Sequence, residues 1–419
     1  MTEPVLSPAI LSVEAIRRQF PALRRKLDGH QVAYFDGPGG TQVPQVVIDA
    51  FTQYLAHHNA NTHWAYATSR ETDAMILEAR RALADFLGAQ PDEIAFGANM
   101  TTLTFHLARA LGRQWGPGDE IVVTELDHHA NIAPWQAVVR ERGVTLRTVP
   151  FKVETGELDW DALGQALTSR TRLLAIGAAS NALGTVTNVA QAREMARAVG
   201  ALVFVDAVHY APHRLVDVRT LGCDFLACSS YKFYGPHLGV LYGRRDRLRA
   251  LDVAKLAPAP DSVPERLETG TQNHEGIAAA RAAVDWLASL AEGHTRRERL
   301  ARTFEVFHER ESALFGRLWD GLGAIRAVTR FGPPPSRPRT GTMSLSIRGV
   351  SPEVAATQLG AEGLFVSHGD FYATTVVRRL GHEADGLVRA GCACYTTADE
   401  VDRLVTGVAE ITGEAARHR

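Results

Sequence analysis

The sequence predicts an α/β protein organised on a mainly parallel sheet, and three observations predict it. Between about residues 92 and 205, short apolar runs alternate with segments of helical spacing, the pattern of strand–helix–strand units. The run Leu202-Val203-Phe204-Val205 is apolar at every position, as suits a strand buried on both faces. A chain of 419 residues, 45% hydrophobic and 22% charged, is long enough for one large core and a smaller one.

The bulk properties exclude several classes of partner. A formal net charge of −2 gives no basic surface for nucleic acid or anionic membrane. No apolar run approaches the roughly 20 residues that span a bilayer. The opening MTEPVLSPAILSVEAIRRQF carries acids early and lacks the basic and apolar regions of a signal peptide. The four cysteines, Cys223, Cys228, Cys392 and Cys394, form neither a Cys-x-x-Cys pair nor a disulfide framework, so a reducing cytoplasm is expected. No metal site is expected.

Taken in order, Ser12 opens a short helix that ends before Pro21. Residues 32–35 read as a strand entering the turn Asp36-Gly37-Pro38-Gly39-Gly40-Thr41, where glycines permit close backbone approach. Residues 43–57 are helical by spacing, 59–68 form a polar loop, and 70–87 form a helix with Ile76, Ala79, Leu83 and Phe86 on one stripe. Residues 92–96 read as a strand. The turn Gly97-Ala98-Asn99-Met100-Thr101-Thr102 and a helix over 102–111 follow. A strand, a hydroxyl-bearing turn and a helix N-terminus make an anion site, because free N–H groups and the helix dipole favour phosphate; Thr101 or Thr102 also suits an N-cap.

A strand over 119–124 leads into Glu125-Leu126-Asp127-His128-His129-Ala130-Asn131-Ile132-Ala133-Pro134-Trp135. Strands over 144–149 and 172–177 enclose a helix over 160–167. The turn 179–185 and a helix over 189–199 lead to the central run. Asp206 ends that run, where open α/β sheets present ligand-facing side chains. A strand over 224–228 then enters Ser229-Ser230-Tyr231-Lys232, and another covers 238–242. One carboxylate and one lysine at the ends of buried strands suit pyridoxal phosphate (PLP), which takes a Schiff-base lysine and an acidic partner for its ring nitrogen. Singly, each also suits a capping Asp or a surface Lys. Beyond them, residues 268–273 form a turn before an Ala-rich helix from 276, and 304–322 are helical. Residues 330–340 make a proline-rich surface loop, 343–347 a strand, 352–359 a helix, and 386–397 a last strand-like segment.

Several of these stretches resemble the class V (fold-type I) PLP enzymes, in their cysteine-desulfurase-like branch. The family's Asp-Gly-Ala-Gln and Ser-Gly-His-Lys-x-x-Gly-Pro motifs stand here as Asp206-Ala207-Val208-His209 and Ser229-Ser230-Tyr231-Lys232-Phe233-Tyr234-Gly235-Pro236. Its Glu-His-His-Ala-Asn and Pro-Trp stretch matches Asp127 to Trp135 with only Asp127 different, and its Ser-Asn-x-x-Gly-Thr turn matches Ser180 to Thr185. The resemblance covers roughly residues 30 to 410. It implies a fold-type I PLP-transferase: a large domain with a mainly parallel seven-stranded sheet over 46–299, and a smaller α+β domain from 1–45 and 300–419.

The resemblance also implies roles. Lys232 would form the Schiff base, Asp206 would hold the ring nitrogen, and His128 would lie flat on the ring. Thr101 and Thr102 would bind phosphate. Asn181 would lie beside the ring oxygen and the substrate, with His209, Ser229 and Tyr231 completing the cofactor site. Arg389 would hold the substrate carboxylate, which a guanidinium fork matches bidentately; a salt-bridged surface arginine is the alternative. Thr271 would reach the phosphate of a neighbouring subunit in a homodimer, or simply belong to a capped turn. His209 and Tyr231 depart from the family's Gln and His.

One family feature is missing. Desulfurases carry persulfide on a loop cysteine upstream of the arginine, and here that region reads Phe365-Val366-Ser367-His368-Gly369-Asp370-Phe371-Tyr372-Ala373. Cys392 and Cys394 follow Arg389 on one strand face and read as core packing. The expectation is therefore a PLP-dependent lyase or transferase acting on an L-amino acid. β-Elimination at a carbon–sulfur bond is favoured, class V transamination or amino-acid epimerisation are the alternatives, and a non-catalytic PLP-binding protein is the remaining one.

Overall fold

A computed structural model of the chain describes residues 11–413; the opening residues on which the signal-peptide reading mostly rests lie outside them. Seven strands form the large sheet: β1 (Ile94–Gly97), β2 (Glu120–Thr124), β3 (Thr145–Val149), β4 (Thr171–Gly177), β5 (Leu202–Asp206), β6 (Phe225–Ser229) and β7 (Gly239–Gly243). Their order across the sheet is β1-β7-β6-β5-β4-β2-β3. From β6 to β3 every pair is parallel. β7 alone runs against both of its neighbours. Its direction follows from the short 230–238 connection, since a parallel crossover needs about a dozen residues or more.

Apart from its partly exposed edge strand β3, the sheet is buried on both faces, which is why its inner strands read as largely apolar runs. In β5, Val203 and Val205 enter one apolar cluster with Phe86, Phe96 and Ile176, while Phe204 enters another with Leu103, Trp135 and Phe225. The alternation is the two-residue period of a strand. Each such side chain, fully buried, contributes about 1.5–3 kcal/mol. This packing fixes the level at which Asp206 emerges, opposite Gly177 on β4 and Ala227 on β6.

A second, antiparallel sheet has four strands in the order β8 (Val328–Phe331), β9 (Thr342–Ile347), β11 (Leu387–Gly391) and β10 (Ser367–Gly369). The helices Arg296–Gly323, Pro352–Ala361 and Ala398–Ile411 supply Phe315, Leu359, Val401 and Leu404 to its apolar cluster. The N-terminal segment divides between the two layers. Ile16, Phe20 and Val32 join the cluster of the large sheet, whereas Ala33 and Phe35 join Met343 and Leu345. Among the described residues no helix is long and apolar enough to cross a membrane.

Several elements differ from expectation. Asp92 and Glu93 belong to a 3-10 turn (Pro91–Glu93), because Gln90 and Glu93 close a capping box there. The long helix starts at Arg296 rather than 304, with Thr295 and Glu298 forming its capping box. The proline-rich segment is a surface loop only in part. Phe331 ends β8, and Arg339 is buried, 3.6 Å from the Phe315 ring centroid and donating to the Leu183 carbonyl at 3.2 Å. Cys392 and Cys394 lie beyond the end of β11 at Gly391, not on a strand face with Arg389.

Candidate active site

Where β4, β5 and β6 end, facing the second sheet, lies a cavity of about 980 Å³. Thr101, Thr102, His128, Asn181, Asp206, His209, Ser229, Tyr231, Lys232 and Arg389 all line it. Thr271 does not. It borders a second cavity of about 1000 Å³, with Trp64 and Leu256 exposed on the same rim.

Lys232 sits on the one-turn 3-10 helix Ser230–Lys232 that follows β6. Its buried amine donates to the carbonyl of Pro38, in the glycine-rich turn near the N-terminus. Burial, assisted by the Arg389 charge, brings its pKa down to about 7, against the pull of Asp206 and Asp36. Asp206 is buried at the end of β5, where one carboxylate oxygen accepts the Val208 N–H at 2.9 Å. Burial raises it to about 6. Behind it, Asp127 is pushed well above the usual carboxylate range by burial and by the Asp206 charge. Its carboxyl accepts the Gly177 N–H at 2.6 Å and the Asn131 amide at 3.3 Å.

His128 is held neutral. Burial first, then the Lys232 and Arg389 charges, lower its pKa to about 4. Its Nδ1 accepts the Ala130 N–H at 3.0 Å, which assigns the ring proton to Nε2. The ring stacks on Tyr372 with centroids 5.6 Å apart and planes at 27°. His209, also buried and driven well below the imidazole range by burial and then by His213, pairs Nε2 with the Thr340 hydroxyl at 3.2 Å. Tyr231 stacks on His237, with centroids 4.8 Å apart.

The helix Met100–Gly112 points its N-terminus at the cavity. Asn99, not Thr101 or Thr102, is its cap: the Asn99 side-chain oxygen accepts both the Thr102 N–H at 2.9 Å and the Thr102 hydroxyl at 3.1 Å. Ser229 accepts the Met100 N–H at 2.9 Å and so ties β6 to this helix. A Cβ at Gly239 would fall 2.5 Å from the Asn99 backbone, so β7 can begin there only with glycine.

Arg389, on β11, donates through Nη1 to the Asn181 carbonyl at 3.1 Å and lies 4.4 Å over the Phe371 ring. Burial lowers its pKa to about 10, leaving it charged at neutral pH. Asp36, half-buried nearby, has one buried oxygen without a partner. Sequence reasoning missed Phe105 at this site, and took the 367–372 loop only for its lack of cysteine.

Three buried side-chain atoms at the cavity make no hydrogen bond: Asn181 Oδ1, His209 Nδ1 and Arg389 Nε. Unpaired buried polar groups are costly and mark places where a ligand completes the bonding. With an amine, a carboxylate, a flat neutral imidazole and a helix N-terminus converging, the donor set fits pyridoxal phosphate and an amino-acid carboxylate. Among the described residues, no group of three or more His, Cys, Asp or Glu is arranged to hold a metal ion.

Comparison with known proteins agrees with this geometry. The chain matches the family model described as aminotransferase class-V over residues 33–404. It is 33% identical to a cysteine desulfurase of Pectobacterium carotovorum over 416 residues, spanning 95% of this chain and 98% of that protein. It is also 33% identical to an aminotransferase-like protein of Gibberella zeae, over 96% of this chain and 99% of that one. Among solved structures, the apo cysteine desulfurase of Thermococcus onnurineus superposes with a TM-score of 0.87 at 27% identity, covering 97% and 99% of the two chains. An Escherichia coli cysteine desulfurase in S-sulfonic acid form gives 0.83 at 28% identity, covering 96% and 98%.

Proposed function

Because the chain belongs to the aminotransferase class-V family, in its cysteine-desulfurase-like branch, we propose that this PLP-dependent enzyme cleaves the carbon–sulfur bond of a cysteine-like L-amino acid by β-elimination, without a persulfide cysteine. One observation carries the reading. None of the chain's four cysteines lines the cavity, while an amine, a carboxylate and a guanidinium do.

When bound, PLP supplies a carbonyl that captures the substrate amine and a conjugated ring that accepts the electron pair left on Cα. The chain's residues do the rest. The helix N-terminus at Thr101 and Thr102 faces the phosphate, where free N–H groups favour anions. Asp206 would pair with the ring nitrogen. Neutral His128 would cover one ring face, and Asn181, His209, Ser229 and Tyr231 would complete the enclosure. Arg389 holds the substrate carboxylate. Lys232, with a pKa of about 7, is present as free amine in useful amount at neutral pH and removes the Cα proton. The Cβ–S bond then breaks and sulfur leaves as thiolate. Lys232 returns the proton to the departing sulfur, and its freed amine displaces the product nitrogen so that 2-aminoacrylate leaves and takes up water to give pyruvate and ammonia.

The proposal includes a cytoplasmic location and a homodimer, in which Thr271 reaches the cavity of the neighbouring copy. Exposed Trp64 and Leu256 beside Thr271 support a covered surface there. Incubating the PLP-loaded protein with L-cysteine and S-substituted cysteines tests the chemistry. Pyruvate, ammonia and thiol in equal amounts are expected. Alanine with sulfur retained on the protein would establish desulfuration, and amino transfer that requires a keto acid would establish an aminotransferase.

A further inference from the structure

Phe371 and Tyr372 are consecutive aromatic residues with positive φ, 57° and 54°. Bulky side chains rarely occupy that region, and where they do the strain points to a functional demand. Four bonds impose it. Tyr372 N–H donates to the Asp370 carboxylate at 3.0 Å, and Ala373 N–H to the Asp370 carbonyl at 2.8 Å. The Asn181 amide donates to the Phe371 carbonyl at 2.9 Å, and His129 N–H to the Tyr372 carbonyl at 2.7 Å. The loop, which leaves the second sheet at Gly369, is thus fastened to the layer of the large sheet, with the Phe371 ring 4.4 Å from the Arg389 guanidinium.

The guanidinium is unevenly engaged. Nη1 donates to the Asn181 carbonyl at 3.1 Å, Nη2 has only a 3.5 Å contact with the Ser367 hydroxyl, and Nε is buried without a partner. Nε and Nη2 share the side edge of the fork, the edge that takes a carboxylate bidentately. We propose that Phe371 is a specificity-determining positioning residue, whose ring holds Arg389 by one face so that the Nε–Nη2 edge is kept for the α-carboxylate of the substrate. This rests on the reading of Arg389 as the carboxylate clamp. The ring restrains rotation of the guanidinium plane towards half-buried Asp36, whose charge acts on Arg389. It also excludes water from that face, which strengthens the charge-assisted bond at the edge.

Propionate and propionamide test this, because neither carries an amine and so neither reacts with the cofactor or with Lys232. Calorimetry on the PLP-loaded parent should show preference for propionate. Phe371→Ala should weaken propionate roughly fivefold, as loss of a buried cation–π contact implies, and leave propionamide unchanged. Phe371→Gly, which relieves the backbone strain but lacks the ring, should match Phe371→Ala, while Phe371→Tyr should keep the parent preference. Should Phe371→Ala not fold, Phe371→Leu carries the same expectation. In turnover, KM for the amino acid should rise with kcat held within about twofold, since removal of uniform binding acts on KM. Arg389→Lys separates the two readings. If it leaves the propionate preference intact, Arg389 is not the clamp and both readings fall. If it abolishes the preference while Phe371→Ala retains it, the role of Phe371 alone is overturned. Equal weakening of both ligands in Phe371→Ala would also overturn it, by showing a merely structural loop.

Discussion

The amine of Lys232 donates to the carbonyl of Pro38, two residues separated by most of the large sheet in sequence. The contact gives the turn Asp36–Thr41 a function: it closes over the lysine and removes it from water. The Tyr231 carbonyl accepts the Thr41 N–H at 3.0 Å and the Thr41 hydroxyl at 3.2 Å, locking turn and lysine loop together. Desolvation disfavours the ammonium, and this is the main reason the pKa falls to about 7.

A pH dependence follows. Below its pKa the Lys232 amine is protonated and cannot attack a carbonyl; above it the free amine predominates. Capture of PLP by apoprotein, followed by absorbance, should therefore rise between roughly pH 6 and 8 and then level off. An ordinary lysine would keep gaining rate until past about pH 10. Because the Asp206 charge raises the Lys232 pKa, Asp206→Asn should move the midpoint lower. A midpoint above about pH 9 would show that the amine is not desolvated.

Lys232→Ala should abolish the visible absorbance of the bound cofactor. In the parent, borohydride reduction followed by peptide mapping should place the label on Lys232. Label on any other lysine would overturn the assignment.

Asp206→Asn should bind PLP and yet lose turnover by several orders of magnitude. The amide oxygen can still accept the Val208 N–H, so the end of β5 is preserved. What would be lost is the negative charge proposed to face the ring nitrogen, and with it the stabilisation of the electron pair taken from Cα. Retention of most activity, with the cofactor spectrum intact, would show that the charge is not needed.

How much of this was legible depended on the kind of physics involved. The strands of the large sheet were visible because burial on both faces writes a continuous apolar run, as in β5. Asp206 and Lys232 were visible because Asp206 ends such a run and Lys232 lies three residues beyond another. The cap at Asn99 was obscured by two neighbouring threonines, equally good caps by residue type. The start of the helix at Arg296 was hidden by its charged first turn, although Thr295 and Glu298 were there to be read. Arg339 reads as surface in a proline-rich stretch, and only tertiary packing against Phe315 buries it. The left-handed pair Phe371-Tyr372 has no sequence signal, since no residue type there announces positive φ. Thr271 lies off the cavity of its own chain, which is compatible with the expectation that it serves a neighbouring copy.

The cysteines give the sharpest test of the chemistry. Cys392 is buried just beyond Arg389, and burial together with Glu311 and Glu400 pushes its thiol far above the ordinary range. Cys394 is half-buried, and burial pushes its thiol up to about 12, although its contact with Tyr234 acts the other way. Its N–H donates to the Tyr234 hydroxyl at 3.1 Å, in a pocket formed with Pro212 and Phe307 and separate from the catalytic cavity. A thiol must ionise to attack sulfur, and neither thiol does so near neutral pH. The double variant Cys392→Ala and Cys394→Ala should therefore keep its β-elimination rate within about tenfold, roughly 1.4 kcal/mol of barrier. Mass spectrometry after exposure to L-cysteine should find no added sulfur on either residue of the parent. Should one of them carry persulfide, and should the double variant stop releasing sulfur, elimination would give way to desulfuration through a cysteine outside the usual loop.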